Sequence, residues 1–176
     1  AVPELADLVH ELLVATTGPA VVVANSFGCV VAVELALRRP ELVRRLVLTS
    51  PAGAPGIRSL GPVALRFLAA MRHEPTRYLG VVVHDIGRGW TRKRRANLRA
   101  LLSYPIEEKA RGLTVPALVV RGREDRLVPA EFARRLAATI PQGSRVELAA
   151  AHALPFSAPA AIARLVLDDD HPEGGA

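Results

Sequence analysis

Apolar residues follow two alternating patterns along this chain, and together they predict helices that alternate with buried strands. The spacing of apolar residues predicts a helix with one apolar face over 3–15, carried by Leu5, Leu8, Val9, Leu12 and Leu13. Thr16-Thr17-Gly18-Pro19 ends that helix. The nearly continuous apolar run over 20–25 then predicts a strand covered on both faces.

The same alternation continues on both sides of a less regular middle segment. The further predicted elements are a helix over 27–39 with Val30, Val31, Val33, Leu35 and Ala36 inward, strands over 46–49, 117–120 and 145–148, and helices over 128–140 and 158–167. Apolar strands separated by helices form parallel sheets through right-handed crossovers. The chain is therefore predicted to have an α/β fold with a mostly parallel sheet.

Residues 52–112 differ in composition and predict an inserted helical cap. Short helical stretches broken by glycine and proline fill the segment, and the one strand-like run is Val81-Val82-Val83. Twelve basic residues stand against four acidic ones, a net charge of +8. The predicted division is a core of residues 1–51 and 113–176, with the cap at 52–112.

The charge of the predicted cap leaves several interpretations open. Thr91-Arg92-Lys93-Arg94-Arg95 is typical of nucleic-acid binding, but no aromatic platform accompanies it. A solvated basic face is favoured, and no nucleic-acid partner is expected. The charge could instead steer anionic substrates towards a site, and His84-Asp85 could contact a substrate.

Length and composition limit the class of protein. The chain has 176 residues, which suits one domain, and 50% of them are hydrophobic. Cys29 is the one cysteine, so no disulfide framework is expected, and we interpret it as a small buried side chain. No apolar run approaches about 20 residues and no targeting signal is visible, so a cytoplasmic protein without membrane contact is expected.

Ser26 lies where the first strand passes directly into a helix. Ala24-Asn25-Ser26-Phe27-Gly28 has the small-x-Ser-x-small form of a nucleophile elbow. The small residues suit a strained turn at which helix and strand pass close together. A second interpretation of Ser26, as the N-cap of the helix, stays open. Cys29 falls past the corner, on the helix, and is a poor candidate for the nucleophile.

Asp125 and His152 also follow the ends of predicted strands. Because the carboxyl ends of parallel strands meet at one edge, Ser26, Asp125 and His152 are expected to converge there. A serine nucleophile needs a base, and the base needs an acid that orients it. The alternatives are a helix N-terminal charge for Asp125 and a capping histidine for His152.

Three stretches resemble the α/β-hydrolase superfamily over nearly the whole chain. They are the elbow with the following Val33–Leu48 region, Val115–Pro129 with its Gly122-Arg123-Glu124-Asp125 loop, and Ala151-His152-Ala153-Leu154-Pro155-Phe156. The resemblance implies a catalytic triad of Ser26, Asp125 and His152, with the Phe27 backbone N–H in the oxyanion hole. It also implies hydrolysis of a small-molecule ester or related acyl bond, C–C bonds included, without cofactor or metal.

The chain departs from the family pattern before the elbow. Members of the family have strands ahead of the elbow strand, and a loop there supplies a second oxyanion donor. Here one helix precedes the elbow. We therefore expect a partial fold with weak activity and an open apolar edge that invites self-association. The rival prediction is a non-catalytic remnant, or a fragment that binds a partner along that edge.

Overall fold

A computed structural model describes residues 2–54, 67, 69–87, 100 and 103–167. The strands are β1 (Ala20–Asn25), β2 (Val43–Thr49), β3 (Ala117–Gly122) and β4 (Gly143–Leu148). The helices are α1 (Val2–Thr16), α2 (Phe27–Arg38), α3 (Thr76–Gly87), α4 (Ile106–Ala110), α5 (Ala130–Thr139), α6 (Leu154–Ser157) and α7 (Pro159–Leu167). Short 3-10 helices cover Pro40–Leu42 and Met71–His73.

The four strands form one parallel sheet in the order β1-β2-β3-β4. The register brings the carboxyl ends of all four strands to one edge of the sheet. Thr49 is paired with Asn25 on one side and with Val120 on the other, and Gly122 is paired with Leu148. The predicted α/β architecture is confirmed, and the loops that follow the strands emerge side by side.

The core lies on both faces of the two central strands. Leu46 and Leu48 of β2 pack with α2 and α5 in one cluster, whereas Val47 packs on the opposite face with Ile162 of α7. This alternation follows from the two-residue period of side chains along a strand. The predicted inward residues of α2 are all buried.

β1 and α1 are less buried than the sequence predicts. No residue of β1 is fully buried, and Val23 is 42% exposed, because β1 pairs with β2 alone within the described part of the chain. On α1, Leu8 and Leu12 are 61% and 60% exposed. The prediction of a strand covered on both faces was therefore wrong for β1.

The strand-like run Val81-Val82-Val83 lies in α3, in line with the helical stretches predicted for this segment, and Val81 and Val83 are exposed. Two local predictions differ from the structure. The helix predicted from 128 begins at Ala130, because Val128 precedes a proline, which disfavours helical backbone there, and Pro129 itself is extended. The loop predicted over 149–156 contains the start of α6.

The predicted cap is described in part. Its helices α3 and α4 are present, and Ile106 and Ala110 of α4 lie in the main core cluster. Thr91–Arg95 lies outside the described residues, so the basic cluster and the cap boundaries stay predictions. No helix in the described ranges has the length and apolar character that crossing a membrane requires.

Candidate active site

Ser26 occupies the corner between β1 and α2 in a rare backbone conformation. Its φ is 54° and its ψ is −117°. Non-glycine residues avoid positive φ, and such strain is concentrated at functional sites. The Ser26 side chain forms no capping hydrogen bond with α2. The N-cap interpretation is therefore not supported, and the corner has the shape expected of a nucleophile elbow.

Hydrogen bonds between Thr49 of β2 and the residues Asn25 and Ser26 hold the corner between β1 and α2 in place. The Ser26 N–H donates to the carbonyl of Thr49 at 3.0 Å, and the Thr49 hydroxyl lies 2.9 Å from Asn25 Oδ1. Gly28 faces Ala24 as predicted, but a Cβ added at Gly28 would stand 3.7 Å from the Ala24 Cβ, an ordinary contact. Space alone therefore does not require glycine at that position.

Asp125 and His152 form a buried pair. Nδ1 of His152 lies 2.9 Å from Oδ2 of Asp125, and the two residues are 5% and 4% exposed. The other carboxylate oxygen accepts hydrogen bonds from the N–H groups of Leu127 at 2.8 Å and Val128 at 3.0 Å. Asp125 thus organises its own loop and also contacts the imidazole, and its bonded N–H groups precede α5, so they do not support the interpretation as a helix N-terminal charge.

The electrostatics of this pair favour an ionised Asp125. Burial raises the pKa of the carboxyl, but the hydrogen bond and charge of His152, together with Ser50 and the Leu127 N–H, outweigh it and lower the pKa below its ordinary value. An ionised carboxylate only accepts hydrogen bonds, so Nδ1 of His152 carries the proton. Nε2 is then left to accept a proton from a nucleophile.

The loops that carry Asp125 and His152 are bonded to each other. Arg123 N–H donates to the Leu148 carbonyl at 2.8 Å, and Glu124 N–H donates to the Ala150 carbonyl at 3.1 Å. Buried Arg121 donates to the carbonyls of Val128 and Asp125. Asp125 and His152 are therefore positioned by hydrogen bonds that their two loops share.

The three predicted residues share one edge of the sheet, and a hydrogen bond joins two of them, Asp125 and His152. Ser26 follows β1, Asp125 follows β3 and His152 follows β4. Within the described residues, no hydrogen bond joins the Ser26 hydroxyl to His152. Phe27 is the first residue of α2, where a backbone N–H lacks an intrahelical acceptor and is free to bind an anion.

Other candidate groups have no visible chemical role. Cys29 is fully buried, as predicted, and burial raises the pKa of its thiol, so the thiol stays protonated. His84 is exposed on α3. Across the described ranges, no three His, Cys, Asp or Glu side chains are placed to hold a metal ion.

Two residues at the site escaped the sequence analysis. Arg121 lies on β3 inside an apolar run, and Glu74 lies just before α3 with its carboxylate bound to the N–H of Ala153. Arg121 could have been suspected, because a charged residue within a buried strand requires partners. Nothing in the sequence connects Glu74 with a loop 79 residues away.

An open apolar depression of about 430 Å³ lies beside β1 rather than against the acid–base pair. Residues of α1, β1 and α2 line it, among them Leu5, Val9, Val23 and Val31.

Comparison with known proteins gives a consistent family and fold. The model of the family described as "Alpha/beta hydrolase family" matches residues 1–165. No curated protein sequence matched the chain. An enzyme that degrades N-acyl homoserine lactones is similar in structure, with 20% identity and a TM-score of 0.78 over 97% of this chain and 75% of that one.

Two further solved structures are similar. A thermophilic esterase shares 26% identity and a TM-score of 0.73 over 94% of this chain and 71% of that one. The enol-lactonase from Burkholderia xenovorans LB400 shares 24% identity and a TM-score of 0.72 over 96% and 72%.

Proposed function

Because the chain belongs to the alpha/beta hydrolase family, we propose that it hydrolyses an ester, lactone or related acyl bond through a covalent intermediate on Ser26. The observation that carries the proposal is the buried Asp125–His152 pair, placed at the same sheet edge as a serine with positive φ. The similar structures include an esterase and lactone-degrading enzymes. These similarities support hydrolysis as the reaction and fit both ester and lactone substrates.

The proposed first step transfers the acyl group to the enzyme. Ser26 Oγ attacks the carbonyl carbon while its proton passes to Nε2 of His152. The carbonyl oxygen becomes an oxyanion, which accepts a hydrogen bond from the Phe27 N–H at the start of α2. The C–O bond to the leaving group then breaks, and that group takes the proton from His152.

The proposed second step returns the enzyme to its starting state. His152 removes a proton from water, the resulting hydroxide attacks the acyl carbon, and the bond to Ser26 Oγ breaks as the serine regains a proton. Asp125 holds the imidazole in the required tautomer in both steps. A C–C bond adjacent to a carbonyl is the runner-up substrate class.

A fluorophosphonate probe tests the nucleophile without knowledge of the substrate. We expect covalent modification of Ser26, found by mass spectrometry of the labelled peptide, and none in Ser26→Ala. Ser144→Ala is the matched control, since Ser144 lies near the amino-terminal end of β4, at the end of the sheet away from Ser26; this variant should still be labelled at Ser26. An unlabelled wild-type protein that is folded by circular dichroism would exclude the proposal.

A second candidate is a non-catalytic protein that self-associates along β1. It is favoured by the one-sided pairing of β1 in the described residues and by the exposure of Val23 and Leu8. Sedimentation velocity of the wild type and of Val23→Lys separates the two. An oligomer that the substitution dissociates, together with no labelling of Ser26, would replace the enzymatic proposal with this one.

A further inference from the structure

Glu74 is a buried carboxylate outside the proposed triad. It lies between the 3-10 helix Met71–His73 and α3, and it is 7% exposed. Its Oε1 accepts a hydrogen bond of 2.9 Å from the backbone N–H of Ala153, the residue directly after His152. The bond therefore joins the segment before α3 to the loop that carries the proposed base.

Buried carboxylate oxygens need hydrogen-bond partners, and one of the two oxygens of Glu74 has such a partner among the described residues. Oε2 is buried and has no hydrogen-bond partner within the described residues. A buried carboxylate with an unsatisfied oxygen costs free energy of folding. Departures of this kind from the rules of stable packing are expected at functional sites.

Two further contacts hold the same pair of segments together. Arg77 of α3 donates a hydrogen bond to the carbonyl of Phe156 at 2.5 Å. The rings of Tyr78 and Phe156 are in tilted contact, with centroids 5.1 Å apart. Residues 74–78 thus contact the stretch 153–156 at three points, and Glu74 makes the contact nearest to His152.

We propose that Glu74 is a positioning residue, which sets the orientation of His152 by anchoring the Ala153 N–H. The inference rests on the proposed function, in which His152 is the base. The Asp125 contact restrains Nδ1, and the Ala153 contact restrains the backbone on the other side of the ring. Together they direct Nε2 towards the sheet edge at which Ser26 lies.

Kinetics on Glu74 variants test this role. Glu74→Ala is expected to lower kcat for a p-nitrophenyl ester about 10-fold or more with KM nearly unchanged, because small misplacements of a catalytic group reduce turnover strongly. Glu74→Gln keeps a carbonyl acceptor and should restore kcat to within about 3-fold of the wild type. Glu108→Ala, a change at an exposed glutamate of α4, is the matched control and should leave kcat unchanged.

Glu74→Asp keeps the kinetic test valid even if Glu74→Ala does not fold. It keeps the charge but shortens the side chain, so the Ala153 bond is lost or stretched and kcat should fall while KM holds. Wild-type kcat in both Glu74→Asp and Glu74→Ala would overturn the proposal. So would a fall in kcat that Glu74→Gln does not reverse.

A spectroscopic readout separates this proposal from the proposed function. The proton between His152 Nδ1 and Asp125 is detectable by NMR, and its resonance should shift or broaden in Glu74→Ala and Glu74→Asp but stay in place in Glu74→Gln. If Ser26 is not labelled by a fluorophosphonate while this resonance still responds to Glu74, the enzymatic proposal fails and the positioning role stands. An unaffected resonance in all three variants would overturn the positioning role.

Discussion

Asp125 and His152 lie in a closely packed part of the molecule, whereas Ser26 lies at the end of an edge strand. The acid and the base are 4% and 5% exposed, and their loops are joined by backbone hydrogen bonds. Ser26 is half-buried, and its strand has one neighbour in the described chain. The two halves of the proposed site are therefore held by different forces.

The contrast between the Asp125–His152 pair and Ser26 indicates which interactions hold each half of the proposed site. Packing and polar satisfaction fix the acid–base pair, so a substitution that disturbs either one should be costly. Ser26, the proposed nucleophile, has a strained backbone, and its N–H donates a hydrogen bond to the carbonyl of Thr49. Side chains on the open face of β1 contribute little to either, and the substitutions below test this contrast.

The largest effect is expected from Asp125→Asn. An amide at this position favours the wrong imidazole tautomer, so kcat for ester hydrolysis should fall about 10⁴-fold. Asp7→Asn, which alters a half-buried aspartate paired with Arg38 far from the site, is the control and should change kcat little. An Asp125→Asn protein with near-normal turnover would show that the buried pair has no part in catalysis.

Gly122→Ala should destabilise the Asp125–His152 region, because the added Cβ would collide with backbone atoms there. An added Cβ would stand 2.3 Å and 2.4 Å from the carbonyl oxygens of Ala150 and Ala151, beside the loop of His152. We expect a loss of about 2–3 kcal/mol in the free energy of unfolding, measured by urea denaturation. Gly80→Ala on α3 meets no atom within 4 Å and should be neutral or stabilising. Equal free energies of unfolding for Gly122→Ala and Gly80→Ala would mean that the region beside His152 is no more closely packed than the surface of α3.

Val23 and Val47 provide a matched pair across the two regions, because they are register partners on β1 and β2. Val47 is fully buried, so Val47→Ala should cost about 2 kcal/mol of unfolding free energy. Val23 is 42% exposed, so Val23→Ala should cost less than about 0.5 kcal/mol. Similar costs at both positions, measured by urea denaturation, would mean that the open face of β1 is covered in solution.

The smallest effect is expected in the pH dependence of stability. The pKa of Asp125 is lowered in the folded state, so its stabilising contribution is complete above the ordinary aspartate pKa, about 3.9, and is lost as pH falls below it. The stability difference between wild type and Asp125→Asn should therefore be larger at neutral pH than near pH 2. Urea unfolding at both pH values measures this difference, and a difference independent of pH would refute an ionised Asp125.

The sequence predicted the strands and the order of the fold because their apolar runs are unambiguous. β1 was placed at its observed bounds, and α2 was predicted to within one residue. The predicted full burial of β1 was wrong, whereas the open edge predicted for this strand agrees with its single neighbour, β2, among the described residues.

The sequence predicted those candidate site residues that directly follow strands of the sheet. Ser26, Asp125 and His152 each follow a strand, so the topology alone brought them to one edge. The Asp125–His152 contact agrees with that expectation. Glu74 and Arg121 were not predicted as site residues, since their partners are main-chain groups of loops that carry no sequence signal.

Strand order in this sheet is the same as chain order, and this has a consequence for protein synthesis. Each strand can join the growing sheet as it leaves the ribosome, next to the one made before it. His152 comes only after the fourth strand, so a nascent chain carries Ser26 for more than 120 residues of translation before the proposed base is made. A nascent chain that ends before His152 is therefore expected to have no hydrolytic activity.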